Sequence, residues 1–376
     1  MTGLRHVSLA VVSMALALTG GGAAFAQAVG VDFGDMKSGV TLAGAETDQK
    51  AINAPVTEPG YKVPRLKDGK PDISGVWSNA SNTAMRRPGS SKNLVMTDDE
   101  AAKARASNPQ NVRQQTDDNQ KESDGLLTGK DLASGRGYNA FWIDPGNNYA
   151  IVKGTWRTSW IVDPPSGQVP FKPGVSRSEY GGPRPQNAAG RDPGYGYNNP
   201  EERNLNERCF ILGTSGPPIG NYLYNNTTQI TQSPDHVVIM SEMIHDARII
   251  PLNAKHQPKE LTPWMGDSIG WWEGDTLVVE TINMQRGGGG VALSPSGKIT
   301  ERFTRYNDKQ VFYEFEVSDP ELYTQAWKGQ MSLNAANGIY EYACHEGNYA
   351  LHGILEAGRK NDREGKVNDS SKDGTE

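Results

Sequence analysis

The stretch "KITERFTRYNDKQVFYEFEVSD", residues 298–319, restricts this chain more than any other. Val311, Tyr313, Phe315 and Val317 alternate with Phe312, Glu314 and Glu316. That period of two suits a strand with one buried face and does not suit a helix. Asn307-Asp308 interrupts the pattern, so the stretch reads as a hairpin. Once such a hairpin exists, its apolar face needs a second layer or a closed sheet to cover it.

The rest of the C-terminal half offers partners of the same kind. "TTQITQS", "HVVIMSEMI", "ARIIPL", "DTLVVETI", "GQMSLN" and "GIYEYACHE" are short strand-like runs split by turn residues. Upstream, Ile73, Val76 and Trp77 open a strand, and Tyr149–Lys153 and Thr155–Val162 read as two more. The turn Asp163-Pro164-Pro165-Ser166-Gly167 follows them. One helix is expected, in "LVMTDDEAAKARAS", where Thr97 and Glu100 form a capping box. With 43 glycines, 23 prolines and 36% hydrophobic residues, the chain has the makings of many turns and long polar loops, not of a helical bundle. Many short antiparallel strands with little helix read as an all-β barrel or sandwich.

The first residues form a segment of another sort. Arg5 and His6 precede an apolar run from Val7 to Leu18, then small residues lead to Ala24-Phe25-Ala26. This is the order of a secretory signal peptide, residues 1–26, cleaved after Ala26. The run is short of the roughly 20 residues that span a bilayer, and no later stretch spans one. Residues 27–70 lack periodicity and read as a linker or wrapping arm. Residues 71–359 hold the β-domain, and 360–376 read as a charged, disordered tail. Residues 172–206 form a Gly/Pro/Asn-rich loop, long enough to carry a partner surface.

Cys209 and Cys344 are the two cysteines. In the periplasm or outside the cell such a pair reads as a disulfide, and no CxxC spacing argues for metal. The net charge of −6 disfavours nucleic acid and acidic membrane surfaces as partners.

Several motifs resemble one family. "LKDGKPDISGVW", "TSWIVDPPSGQVP", "WMGDSIGWWEGDTLVVET", "ERFTRYNDKQVFYEFEVSDPELYTQAW" and "YEYACHEGNY" occur in the order found in a group of secreted bacterial proteins common in sphingomonads and acidobacteria. The resemblance covers about residues 60–355 and brings no catalytic assignment with it. Gly75-Val76-Trp77 also resembles the Gly-x-Trp that opens lipocalin-like barrels. That likeness implies an antiparallel barrel whose mouth holds an apolar molecule.

Three stretches carry candidate chemistry. In "SEMIHDARIIP", a turn at His245-Asp246 would gather Glu242, His245 and Arg248, an acid/base pair with an anion holder. The alternative is a Glu–Arg ion pair on a sheet face with an exposed hairpin His. In "WMGDSIGWWEGDTLVVET", Glu273-Gly274-Asp275 is a turn, while Asp267 between Trp264 and Trp272 is a candidate general acid. Trp264 and Trp272 are cavity wall or barrel plug. In "CHEGNY", His345 would join His245 and Glu242 or Glu346 only if a zinc site formed, and neither HxH nor HExxH spacing supports one. Tyr138 and Trp142 in "GRGYNAFW" would line a rim. No dinucleotide or nucleophile-elbow motif is present, and no organic cofactor is expected. The expectation is therefore a secreted enzyme doing acid/base chemistry, such as elimination, hydration or isomerisation, on a small apolar or aromatic molecule. A non-catalytic periplasmic small-molecule binder is the alternative.

Overall fold

The computed structural model describes residues 36–109, 111–112, 146–175, 199–203, 205–212, 215–285 and 289–365. The expected signal peptide, Tyr138, Trp142, most of loop 172–206 and residues 366–376 lie outside them.

The chain is an all-β antiparallel barrel. Its strands are β1 (Gly75–Ser78), β2 (Val95–Met96), β3 (Ile151–Val152), β4 (Thr155–Arg157), β5 (Ile161–Asp163), β6 (Thr227–Gln232) and β7 (His236–Ser241). Then come β8 (Ala247–Pro251), β9 (Asp267–Glu273), β10 (Thr276–Ile282), β11 (Lys298–Asn307), β12 (Gln310–Ser318) and β13 (Trp327–Ala335). The main sheet runs β8-β7-β6-β1-β13-β12-β11-β10-β9, with β5 added beside β13; β2-β4-β3 form a small second sheet. Every neighbouring pair on the main path is antiparallel. The two ends of that path meet through a parallel bridge, Leu252 to Gly270. There the Asn253 N–H donates to the Gly270 carbonyl at 2.7 Å.

The alternation read in residues 298–318 decides the inner face. Val311, Tyr313, Phe315 and Val317 on β12 are fully buried, as are Ile299 and Phe303 on β11. They join Trp77, Ile230, Val237, Ile239, Ile250, Leu277, Val279, Trp327, Met331 and Leu333 in one cluster that fills the barrel. The interior is thus a packed core, and the cavity expected at a lipocalin-like mouth lies elsewhere. The strand count also differs: nine strands lie on the continuous path, against the eight of lipocalins. Gly329 shows how tight the packing is, since a Cβ there would sit 2.2 Å from the Phe315 ring.

Local sequence signals hold where no distant partner competes. Helix α1 (Ala45–Ile52) precedes the barrel, and α2 (Asp98–Ser107) begins with the expected box. Thr97 Oγ1 accepts from the Glu100 N–H, and Glu100 Oε2 accepts from the Thr97 N–H. Gly274 takes φ +61° in the β9–β10 turn. Other expectations need correction. The run Thr155–Val162 is broken into β4 and β5. "GIYEYACHE" is not a strand: it holds the short helix α3 (Cys344–Gly347), followed by α4 (Tyr349–Arg363). A strand there would have needed a free edge beside β13, and β12, β1 and β5 already occupy both sides. Helix α4 carries ordered chain past Arg359, into the expected tail. The expected arm is docked as well. Asp48 on α1 accepts from the N–H groups of Leu94 and Val95 at 2.8 Å each, and Lys153 Nζ donates to the Ile52 and Ala54 carbonyls. A cation is favoured at that helix end.

Cys209 and Cys344 form the expected disulfide, with Cα atoms 5.7 Å apart. Among the described residues no helix is long and apolar enough to cross a membrane.

Candidate functional site

Strand β7 buries Val237, Ile239 and Ser241 by alternation, and the β7–β8 loop then breaks the parity. Ile244 and His245 both adopt left-handed backbone, with φ +58° and +47°. That conformation is costly for a β-branched residue and is held here by the surrounding contacts. The Ser241 N–H donates to the Asp246 carbonyl at 2.8 Å, which closes the loop. The loop turns Glu242 inward, at 5% exposure, and His245 out to solvent.

Glu242, His245 and Arg248 therefore do not gather into one acid/base set. Glu242 Oε1 accepts from Asn225 Nδ2 at 2.6 Å, and its Oε2 is buried without a partner. Arg248 turns into the barrel and meets a residue 53 positions away. Its Nη1 and Nη2 donate to the two oxygens of Glu301, and Tyr313 Oη donates to Glu301 Oε1 at 2.7 Å. The Ile219 N–H donates to Tyr313 Oη at 2.9 Å. Burial acts to lower Arg248, but the Glu301 carboxylate outweighs it and holds the guanidinium above its ordinary value. Burial, then Glu301, pushes the Tyr313 phenol well up. This is a bidentate, desolvated ion pair, the arrangement that lets charge stay inside a core. The ion pair expected as an alternative on a sheet face, Glu242 with Arg248, is replaced by Glu301 with Arg248 inside the barrel.

A cavity of about 460 Å³ lies against β8 and β9. Ala247, Arg248, Ile249 and Pro251 line it from β8, and Asp267 and Ser268 from β9. The connecting segment contributes Gln257, Pro263, Trp264, Met265 and Gly266. Two of the expected catalytic residues, Arg248 and Asp267, thus share one cavity; Glu242 and His245 are not among its walls. Trp264 is a wall, and its ring meets Phe210 edge-on at 5.1 Å. Trp272 packs against the barrel core instead. His345 is exposed on α3, and among the described residues no three His, Cys, Asp or Glu side chains gather as a metal would require.

Asp267 is held by the segment that covers the cavity. Its Oδ2 accepts from the Gln257 N–H at 2.8 Å and contacts His256 Nδ1 at 2.7 Å. His256 Nε2 faces Glu280 Oε1 at 3.3 Å. Both ring nitrogens are engaged by carboxylates, so the ring has none left to act as a base. Glu280 also pairs with Lys298 Nζ at 2.8 Å. Burial acts to raise Glu280, but Lys298 and His256 together hold it below its ordinary value. The segment from Asn253 to Gly266 is thereby pinned to β9 and β10 by His256.

The β7–β8 loop that carries Glu242 also carries Asp246, whose carboxyl is perturbed. Burial pushes Asp246 up to about 6, only partly offset by the hydrogen bond from Ser215 and by His245. Its Oδ2 is buried without a partner.

Glu301, Tyr313, His256 and Asp246 were not singled out from sequence. Glu301 had a usable signal, because it stands at inward parity between Ile299 and Phe303. A lone charge on an apolar strand face has to find a partner. His256 had none, since it lies in an unpatterned loop. Comparison with known protein families, characterised proteins and solved structures finds no match.

Proposed function

We propose that this chain is a secreted small-molecule-binding protein whose site is the cavity at the β8–β9 seam. One observation carries the reading: the barrel interior is filled, while the seam holds about 460 Å³ of space walled by Trp264, Met265, Pro263 and Ile249 beside Arg248 and Asp267. Mostly apolar walls with a few convergent polar groups are the usual make-up of a ligand pocket. The disulfide supports an oxidising compartment, periplasmic or extracellular, in keeping with the signal-like first 26 residues.

Native mass spectrometry of the protein purified from the periplasm tests this reading. The expected result is a retained small molecule that is lost from Trp264→Ala and retained by Trp272→Phe. Retention unaffected by Trp264→Ala and by Asp267→Asn would overturn the seam as the site.

Acid/base catalysis is the second reading, favoured by the two carboxyls of the β7–β8 loop, each with one buried, unpartnered oxygen. Asp246, raised to about 6, suits a general acid near neutral pH. In this reading Glu242→Gln and Asp246→Asn each abolish turnover of the retained molecule without releasing it. Full turnover by both variants would eliminate it.

A further inference from the structure

We infer that the cavity against β8 and β9 takes a small organic cation, a protonated amine on an apolar or aromatic body, with Asp267 as its counter-charge. The inference rests on that cavity being the binding site and names the chemistry of what fills it.

Strand parity decides which side chains face this cavity, because they alternate between the two faces of a sheet. On β8, Arg248 and Ile250 are buried toward the barrel, while Ala247 and Ile249 are exposed on the outer face. On β9, Ser268 turns inward and its Oγ meets Thr281 Oγ1 at 2.8 Å, so Asp267 stands on the outer face with Ile249. The turn Pro263–Gly266 supplies another wall. The Gly266 N–H donates to the Pro263 carbonyl at 3.0 Å and closes that turn. Gly266 takes φ +77°, and a Cβ there would sit 2.6 Å from Thr281 Cγ2. Glycine thus lets the turn that carries Trp264 press against β10.

Charge then separates the two ionisable residues of the lining, Arg248 and Asp267. Arg248 gives both terminal nitrogens to Glu301 inside the barrel, and its charge is cancelled there. Asp267 is only half spent. The Gln257 N–H and His256 Nδ1 both meet its Oδ2. Its Oδ1 takes no hydrogen bond among the described residues and is not sealed from solvent. Nearby, Glu280 pairs with Lys298 Nζ at 2.8 Å. Among the described residues His256 alone forms an ion pair with Asp267, and it is shared with Glu280. Two carboxylates thus divide one lysine and one histidine. The charge left at the cavity is negative, and it sits on Asp267.

A half-buried carboxylate oxygen is best answered by a charged donor, since charge-assisted hydrogen bonds are roughly twice as strong as neutral ones. A hydrocarbon would cover Oδ1 without answering it. An organic acid would meet Asp267 with no cation to offset it, because Arg248 is committed to Glu301. Trp264 adds a second attraction, because an indole face draws a cation. The aromatic pair it forms with Phe210 already carries one cation: Arg208 lies over the Phe210 ring at 5.4 Å. Ile249, Pro263 and Met265 supply the apolar surface that the body of the ligand would cover. A volume of about 460 Å³ suits a compact molecule.

The test uses the full secreted chain and three probes of one shape: phenethylamine, phenethyl alcohol and hydrocinnamate. Saturation-transfer NMR ranks them, and titration calorimetry measures their affinities. Phenethylamine should bind about tenfold more tightly than the alcohol, and hydrocinnamate more weakly than either. Asp267→Asn should erase the preference for amine over alcohol and leave the alcohol's affinity unchanged, whereas Trp264→Ala should weaken both. Alcohol or acid binding to the unaltered protein as tightly as the amine would overturn the cation class, whether or not Asp267→Asn folds. If that binding were lost with Trp264→Ala, the site itself would stand. An amine preference kept by Asp267→Asn would overturn Asp267 as the counter-charge. A molecule retained through native mass spectrometry supports the inference if it is an amine and overturns it if it is an acid or a hydrocarbon. No retained molecule and no binding of any probe would remove both the cation class and the site.

Discussion

Replacing Glu301 by Leu should be among the most damaging single changes in this chain. Glu301 is fully buried, and Arg248 is 5% exposed. The carboxylate receives both terminal nitrogens of Arg248 and the hydroxyl of Tyr313. Removing it leaves a guanidinium inside an apolar barrel with Nε also unpartnered. Breaking one side of a buried ion pair costs about 3–5 kcal/mol. At about 2–4 °C per kcal/mol for a chain of this order of size, the melting temperature should fall by about 6–20 °C. Exchanging both partners for apolar residues of similar bulk, Arg248→Met with Glu301→Leu, removes the orphaned charge. That double variant should recover most of the loss, because replacing a buried pair by packed side chains is often neutral or stabilising. Thermal unfolding followed by circular dichroism on the two single variants and the double variant reads the coupling. If Glu301→Leu were no less stable than the double variant, the ion pair would not be holding the charge in the core, and the reasoning would fail.

Further expectations follow from the same contacts. Reducing the disulfide, or Cys209→Ser with Cys344→Ser, opens a loop of 135 residues; the chain-entropy relation puts the loss at about 5 kcal/mol at most, and unfolding with and without a reductant measures it. Asp246 is raised from its ordinary value to about 6 in the fold. Its contribution to stability is therefore fully present below about pH 4 and is lost as pH rises through about 6. Asp246→Asn should flatten that fall, seen as a melting temperature less dependent on pH between 4 and 7; an unchanged slope would refute the burial argument. His256→Gln disturbs both ring contacts, to Asp267 and Glu280, that help to pin Asn253–Gly266 beside the cavity. It should speed amide exchange in that segment and leave exchange in β11 and β12 unchanged, and equal protection in both proteins would show the segment is held otherwise.

Much of this architecture was legible because its causes are local. The alternation of Val311 to Val317, the Thr97–Glu100 box and the Gly274 turn each depend on residues within a few positions, and each forms as read. The disulfide was legible through compartment chemistry instead of geometry. "GIYEYACHE" was misread because its strand-like composition says nothing about whether a sheet edge is free. The candidate site was legible in pieces. Asp267, Arg248 and Trp264 were named separately, and only the fold brings them to one cavity, while it sends Glu242 to Asn225 and His245 to solvent.

Sequence by itself determined that this chain makes short antiparallel strands, where several of them turn, which face of each is buried and which cysteines pair. Those properties follow from side-chain period, backbone preference and redox chemistry, all of which act along the chain. Tertiary structure alone decided that β1 enters between β6 and β13, that nine strands close on a parallel seam and that Arg248 is answered by Glu301. Strand order depends on which edges remain unpaired when each strand docks. A buried charge accepts whichever partner the closed barrel places opposite it, and neither choice is written in any one segment.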